Sequence, residues 1–458
     1  MKCLNTIKFT ASITNGLFRS YPMEITSRVK AILHRNTEFI KQLGSSYAVF
    51  IVNTLVMIFQ TPLLLNYMGN DTYGIWLLAQ NVINYLTLLN LGFNSVMINK
   101  YALGDASTKE KNFSTVFYSL VLFSGLSVFI FLIILFNLNS IFSITPGLEF
   151  LAKDVFILMY CVFLLNFIAT FFDMILYYIS GQIITKNIIE IVRISLLFAL
   201  YFIGVKLNLG VYNLCLIYIG VTLLFLTTTI FFAMRSSDIR IRWHFFDVNV
   251  MKSYFKPGGY FLLLGLTQVF VFNGDNIVIA SLLGTSQLTA YTLSFRLSDV
   301  AIKLIRKLTD TKTPHYIALL KQKDYGKLKK IYTKMQWPII TLSLLACVFI
   351  SLFGQDVLHL WLGKEHHFDR NIIIVFALYI VISNIYYSNW ALLNIAGEHK
   401  GLSRVAFVEV CVNIGLSIIL CKWFGLIGIA IATLVSTTFL GLLYSHLRLK
   451  KFFLKISV

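Results

Sequence analysis

Charge is what this sequence has least of. Only 13% of its 458 residues are Asp, Glu, Lys or Arg, against about 25% in a typical soluble domain. Hydrophobic residues make up 57%, and the mean hydropathy is +0.77. Forty Phe and 23 Tyr cannot all be hidden in soluble cores with so few charges to cover the surface, so a string of water-soluble domains is excluded. Six Pro and 26 Gly in so long a chain exclude collagen-like and low-complexity classes. Cysteine is sparse too. Cys3, Cys161, Cys215, Cys347, Cys411 and Cys421 form no CxxC and no ligand spacing. Most lie inside apolar runs, where they read as buried thiols; no disulfide, metal or cofactor is implied. Acids are outnumbered by bases, 20 to 39, for a net charge of +19. A basic excess can mark a nucleic-acid partner, and where the charges fall decides against that.

What remains is apolar sequence cut into lengths that fit a bilayer. A helix needs about 20 mostly apolar residues to cross. Twelve such windows occur: 45–67, 73–98, 113–136, 153–179, 187–205, 210–234, 258–283, 288–308, 333–353, 371–395, 404–421 and 424–446. With the N-terminus placed in the cytoplasm, the inner segments hold 31 of the Lys and Arg residues and the outer loops five. That asymmetry is the Lys/Arg bias of cytoplasmic loops, so the basic excess is topology and both termini are cytoplasmic. Residues 1–44 are basic and have no apolar core of a signal peptide. A stretch with Val29, Ile32, Leu33 and Lys41 reads as a surface amphipathic helix, and Met1 and Met23 are alternative starts.

An offset of 215 residues relates two halves. Gly69 maps to Gly284, each in the outer turn between the first two spans of its half, Trp76 to Tyr291, and Gly210 to Gly425. The outer loops 137–152 and 354–370 also correspond. Each half has an even number of spans and starts inside, so the repeats are parallel, related by an axis along the membrane normal. The expected architecture is an all-α integral membrane protein, with about twelve helices in two six-helix bundles, 45–234 and 258–446, around a central cavity. A cytoplasmic linker 235–257 joins them, and a basic tail, 447–458, follows.

Ionisable groups at bilayer depth cost several kcal/mol unless they face a cavity or a partner. The acids there are Asp173, Glu190, Asp275, Asp299 and Glu409; the bases are Arg193, Arg296 and Lys303. In the eighth span Arg296, Asp299, Lys303, Arg306 and Lys307 fall on one stripe of about 100°. Arg306 and Lys307 read as anchors at the inner surface. Asp275, at similar depth on the seventh span, is placed to pair with Arg296. The offset maps Asp275 to Gln60, Arg296 to Asn81 and Asp299 to Asn84, so both halves turn polar groups toward the shared cavity. Arg296–Asp299, Asp299–Lys303 and Glu190–Arg193 are also i,i+3 and i,i+4 pairs, which can serve only to neutralise each other. Glu409 with Asn413, one turn apart, and Asp173 are candidates for a proton or cation site.

Several motifs are familiar. Tyr67-Met-Gly-Asn-Asp-Thr-Tyr-Gly-Ile-Trp76, followed by Tyr85-Leu-Thr-Leu-Leu-Asn-Leu-Gly92, resembles the N-terminal signature of Wzx-type polysaccharide-repeat flippases. These belong to the multidrug/oligosaccharidyl-lipid/polysaccharide (MOP) exporter superfamily, which is MATE-like in fold. Asn273-Gly-Asp-Asn-Ile-Val-Ile-Ala-Ser-Leu-Leu-Gly284 with Ala290-Tyr291 resembles the matching segment of the second half, and Ala396-Gly-Glu-His-Lys400 with Gly425-Leu-Ile-Gly-Ile-Ala-Ile-Ala-Thr433 its last two-helix unit. The likeness runs from about residue 40 to near the end. Many relatives have fourteen spans, two more than here.

The resemblance implies a flippase that carries an undecaprenyl-pyrophosphate-linked oligosaccharide, for O-antigen of lipopolysaccharide or a related surface polysaccharide, from the inner to the outer leaflet of a Gram-negative inner membrane. Alternating access, with ion coupling, is the implied mechanism. A polysaccharide polymerase and a chain-length regulator are the candidate protein partners, with no nucleic acid among them. Arg296, Arg193 and Lys303 would then hold the pyrophosphate, since guanidinium offers bidentate, always-charged donors to phosphate oxygens. Asn53, Asn81, Asn84, Asn384, Asn389 and Trp390 are candidates for the sugar face.

Two other classes compete. A MATE-like multidrug or organic-cation antiporter would want an acidic cavity, and in-membrane acids do outnumber bases five to three. A membrane polysaccharide polymerase or glycosyltransferase would want a large outer domain with paired carboxylates, whereas the longest outer loops have about 16–17 residues. No Walker A loop is present to use ATP.

Overall fold

A computed structural model describes residues 23–102, 109–237 and 239–456. The choice between Met1 and Met23 lies outside the described residues, as do the side chains of the amphipathic stretch around Val29–Leu33.

Every long element is a helix. In chain order they are α1 (Met23–Leu86), α2 (Phe93–Ala102), α3 (Lys109–Phe136), α4 (Glu149–Met174), α5 (Ile183–Lys206), α6 (Gly210–Ser236), α7 (Val248–Leu282), α8 (Thr285–Lys321), α9 (Tyr325–Leu362), α10 (Arg370–Ile395), α11 (His399–Phe424), α12 (Leu426–Ser436) and α13 (Leu443–Ile456). Among the described residues nine segments are long and apolar enough to cross a membrane. The first, Gly44–Asn90, holds two passes, because Gly69 breaks α1 at φ 74°. Helix α8 falls outside that set because its charged stripe makes it too polar. The fold is thus a multi-pass, all-helical membrane protein.

The turns that set up the internal repeat share a backbone conformation. Gly69 and Gly284 sit at φ 74° and 93°, Gly210 and Gly425 at 81° and 61°, a region open to glycine at little steric cost. Two corrections apply to the lengths expected above. The second span is not continuous: after a short 3₁₀ turn, Thr87–Asn90, Leu91 and Gly92 adopt positive φ before α2 begins. The proposed outer loop 354–370 is mostly helix, since α9 runs on to Leu362.

Amphipathicity explains how the rods are turned. On the first arm of α1, Ile51, Leu55 and Phe59 recur every fourth residue and stay exposed. Such an apolar stripe suits lipid. Asn53, Gln60 and Thr61 lie on other faces of the same arm and line the interior, described below. The first half is knit by α5 on α1 and by α6 on α4 and α5; the second by α8, α9 and α10 together and by α11 on α7 and α12.

The halves meet along α1 and α8. At the end carrying the Gly69 and Gly284 turns, Thr289 Oγ1 donates to the Asn70 carbonyl at 2.8 Å and Ser143 N donates to the Ala280 carbonyl at 2.9 Å. Trp361 Nε1 reaches the Ile58 carbonyl at 2.6 Å, and the His366 ring nitrogens lie 3.0 and 3.2 Å from the side-chain oxygens of Asn70 and Asn66. Backbones touch directly where side chains are missing: a Cβ on Gly74 would stand 2.0 Å from the Thr285 carbonyl oxygen, and one on Gly258 2.4 Å from that of Leu91. The connection between halves is pinned as well. Asp247 caps α7 by accepting from the Asn249 and Val250 N–H groups and pairs with Lys111 of α3. Lys111 and those two N–H donors hold its carboxyl below the usual carboxylate range.

Candidate functional site

Two cavities lie against the seam between the halves. The central one, about 400 Å³, is walled by the second arm of α1 on one side and by α7, α8 and α10 on the other. Of the α8 stripe, Arg296, Asp299, Lys303 and Arg306 all line it. Asn81 and Asn84 face them from the first half, so two of the three pairs related by 215 residues look into one space, while Gln60 does not share the cavity of Asp275. A second cavity, about 280 Å³, lies within the first half between α1, α5 and α6, and includes Gln60 and Arg193. Arg296 and Gln80 border both cavities.

Arg296 stands at that junction. Its Nη1 donates to Thr61 Oγ1 at 2.7 Å and lies 3.5 Å from the Tyr73 hydroxyl. Thr61 spends its own proton on the Met57 carbonyl, leaving a lone pair for the guanidinium. Both partners belong to the first half, so Arg296 ties the halves together. Among the described residues no carboxylate pairs with it. The expected Arg296–Asp275 pair does not form. Asp275 is buried and instead accepts from Tyr291 OH at 2.7 Å, Thr433 Oγ1 at 2.5 Å and Ser417 Oγ at 3.3 Å. Asn413 Nδ2 extends that network through Thr433 and Ser436, at 3.0 and 3.2 Å. Four helical segments thereby converge on one carboxylate, which removes it as a counter-ion for Arg296.

The other charges are distributed more locally. Lys303 Nζ binds Asp299 at 2.6 Å, so the i,i+4 pair neutralises itself on the cavity wall. Arg193 pairs with Glu190, and Lys186 bridges Glu190 and Asp173 at 3.3 and 3.5 Å, making a four-residue cluster between α4 and α5. Arg193 therefore lines the smaller cavity rather than sharing one lumen with Arg296 and Lys303. Arg306 is not a surface anchor: it lines the central cavity, donates to Ser383 Oγ at 2.7 Å and stacks over the Tyr387 ring at 4.6 Å. Lys307 leaves the stripe and faces Tyr47 and Phe50 of α1.

Glu409 and Asn413 do not form a joint site. Glu409 is buried off the cavity, accepts from Tyr386 OH at 3.3 Å and has Oε1 without a partner. It faces the π-turn Thr437–Leu442, where Gly441 leaves its carboxylate room. Three sugar-face candidates are packing groups. Asn384 binds Ser343, Asn389 accepts from Tyr332 OH and donates to Ser445, and Trp390 stacks on Tyr387. Asn389→Ala takes the Asn389 acceptor from the buried Tyr332 hydroxyl and one donor from Ser445, which keeps its bond to the Leu442 carbonyl, at a cost of about 1–3 kcal/mol. A lower melting midpoint with unchanged activity per folded molecule is the expected result; lost activity at wild-type stability would return Asn389 to the site.

Sequence reasoning missed Gln80, Thr61, Tyr73, Tyr379 and Thr433. The 215 offset maps Thr433 to Tyr218, which lines the smaller cavity, but that place of Tyr218 is visible only in the structure. Gln80 lies one residue before Asn81, but only the helix rotation in space puts both on the seam.

Among solved structures, the fold is similar to the inward-facing conformation of a multidrug resistance MATE family transporter of the MOP superfamily (TM-score 0.69, 17% identity, covering 89% of this chain and 99% of that one). It is also similar to the lipid II flippase MurJ in its inward closed conformation (TM-score 0.67, 15% identity, 91% and 90%). A curated relative, the probable low-salt glycan biosynthesis flippase Agl15 of Haloferax volcanii, is 20% identical over 195 residues. That alignment spans 43% of this chain and 41% of the relative's length. A family profile matches residues 68–369, from the Gly69 turn through the seam and the charged α8 to the start of α10, and by it the chain belongs to the family of polysaccharide biosynthesis proteins.

Proposed function

We propose that the protein is a flippase for an undecaprenyl-pyrophosphate-linked oligosaccharide, moving it from the inner to the outer leaflet of the cytoplasmic membrane by rocking residues 45–234 against 258–446. Arg296 carries this reading. It is a permanently charged group between the halves with no carboxylate partner among the described residues. A cation at membrane depth costs several kcal/mol unless something compensates it, and a pyrophosphate passing through the seam supplies the missing charge. Arg306, further along the same wall, extends the positive lining, while Lys303 there is neutralised by Asp299. Asn81, Asn84 and Gln80 offer neutral donors and acceptors to hydroxyl-rich cargo.

Both termini lie in the cytoplasm in this reading, following the Lys/Arg asymmetry. The Asp275 network, buried and built of oxygen ligands from four helical segments, is the place for a coupling proton or cation. An organic-cation antiporter of the same fold is the second reading, favoured by the acids on the cavity wall. Those acids are already engaged, Asp275 by hydroxyls and Asp299 by Lys303, whereas the Arg296 charge is open.

The test is reconstitution in liposomes with fluorescent undecaprenyl-pyrophosphate-linked oligosaccharide on one leaflet. Loss of quenching by a membrane-impermeant reagent, at a rate tied to protein content, is expected. No translocation of that lipid, together with uptake of an organic cation, would replace the flippase with the antiporter.

A further inference from the structure

Resting on the flippase reading, we infer that the smaller cavity inside the first half is a recognition subsite for the sugar joined directly to the pyrophosphate. Its lining is of a different kind from that of the seam. Three neutral amides, Asn53, Gln60 and Gln80, meet the aromatic rings of Trp76 and Tyr218. Its one other charged side chain besides Arg296 is Arg193, which Glu190 already neutralises. Amides present donors and acceptors together, which suits hydroxyls, and aromatic faces suit the apolar faces of a sugar ring.

The internal repeat makes the contrast sharper. The 215 offset maps Gln60, Trp76 and Tyr218 onto Asp275, Tyr291 and Thr433. In the second half these three are tied together by hydrogen bonds at 2.7 and 2.5 Å. In the first half the equivalent three border open space. One half sets a hydrogen-bonded carboxylate on the wall of the central cavity, and the other sets an uncharged amide and two aromatic rings on the wall of the smaller one. Asn53 is exposed and Gln60 and Gln80 are half-buried along this wall, so their amide donors and acceptors are accessible to a ligand in the cavity.

Position and size fix which part of the cargo enters. Arg296 forms part of the wall between the two cavities, so a group in the smaller one is adjacent to whatever Arg296 holds. With pyrophosphate there, the neighbour is the first sugar. At about 280 Å³ the space lies just below the roughly 300 Å³ at which pockets for drug-sized ligands begin, room for a ring or two and not for a whole repeat unit. The remaining sugars stay in the central cavity, among Asn81, Asn84 and Lys303.

The experiment measures binding to the purified full chain in nanodiscs. The probes are undecaprenyl pyrophosphate and its derivatives bearing one glucose, galactose, N-acetylglucosamine or N-acetylated 6-deoxyhexose. The wild-type protein is expected to prefer at least one sugar-bearing probe by about tenfold or more, the scale of one or two buried hydrogen bonds. Gln60→Ala and Asn53→Ala each erase most of that preference and keep the affinity for undecaprenyl pyrophosphate, which also shows that they are folded. The assignment is overturned if the preference survives in both variants, or if the wild type treats all probes alike. Failure of undecaprenyl pyrophosphate itself to bind removes the flippase reading and the subsite with it. Binding of that lipid with no sugar preference removes the subsite alone.

Discussion

For the proposed flippase, Arg296→Ala is expected to insert and fold yet to translocate lipid-linked oligosaccharide at least a hundredfold more slowly than the wild type. The magnitude follows from what the side chain supplies. A hydrogen bond to a charged group contributes about 1.5–3 kcal/mol, and the guanidinium offers a phosphate two of them in parallel. Losing about 3 kcal/mol corresponds to roughly two orders of magnitude. Arg296→Lys keeps the charge and loses the fork, so it recovers part of the rate but not all. Folding survives because Arg296 lines cavities and packs no core; its protein partners are one threonine and one tyrosine hydroxyl. Flipping rates in liposomes, normalised to folded protein, decide the matter. Full activity in the alanine variant would show that the cargo's charge is met elsewhere.

Gly74→Val has a comparable effect by another route. A Cβ at residue 74 would lie 2.0 Å from the Thr285 carbonyl oxygen and 2.9 Å from Thr289 Oγ1. The first of these is backbone at the start of α8 and cannot rotate away. Forcing atoms into a packed contact costs typically 1–3 kcal/mol, and that cost falls only on the state in which the halves meet at this end. The ratio of closed to open molecules therefore shifts by about 5- to 150-fold toward open. Spin labels at Asn70 and Lys364, both exposed and on opposite halves, report it as a rise in the long-distance population, and transport falls because one of its two states is depleted. An unaltered distance distribution would mean that the seam opens and closes elsewhere.

Much of this architecture was legible in the residues, for identifiable reasons. Apolar length marks spans, and glycines in turns need a conformation that few other residues adopt, so Gly69, Gly210, Gly284 and Gly425 betray both the turns and the repeat. The α8 stripe was legible because charge is rare in apolar sequence: Arg296, Asp299, Lys303 and Arg306 stand out, and they do share a wall. What could not be read is the azimuth of each helix relative to its neighbours. Periodicity places Asp275 at the depth of Arg296 but does not say that α11 and α12 bring Ser417 and Thr433 to it first. Likewise Asn389 and Asn384 carry the same composition signal as Asn81 and Asn84, and only packing separates a buried structural amide from one that faces a cavity. The division of the interior into two spaces, with Arg296 between them, comes from three dimensions alone.

The hydrogen bond from Arg296 to Thr61 has a consequence for idle turnover. It joins α8 of one half to α1 of the other, using the same guanidinium that an incoming anion needs. Whatever stability that strap gives the empty, closed protein is subtracted from the affinity for cargo, and by reciprocity cargo that captures the guanidinium loosens the halves by the same amount. Under the proposed function, an empty carrier is then held closed and a loaded one is released to move. In the proposed cycle this makes the cargo itself the licence for rocking, so that a membrane with nothing to export does not dissipate its ion gradient through a carrier swinging back and forth unloaded.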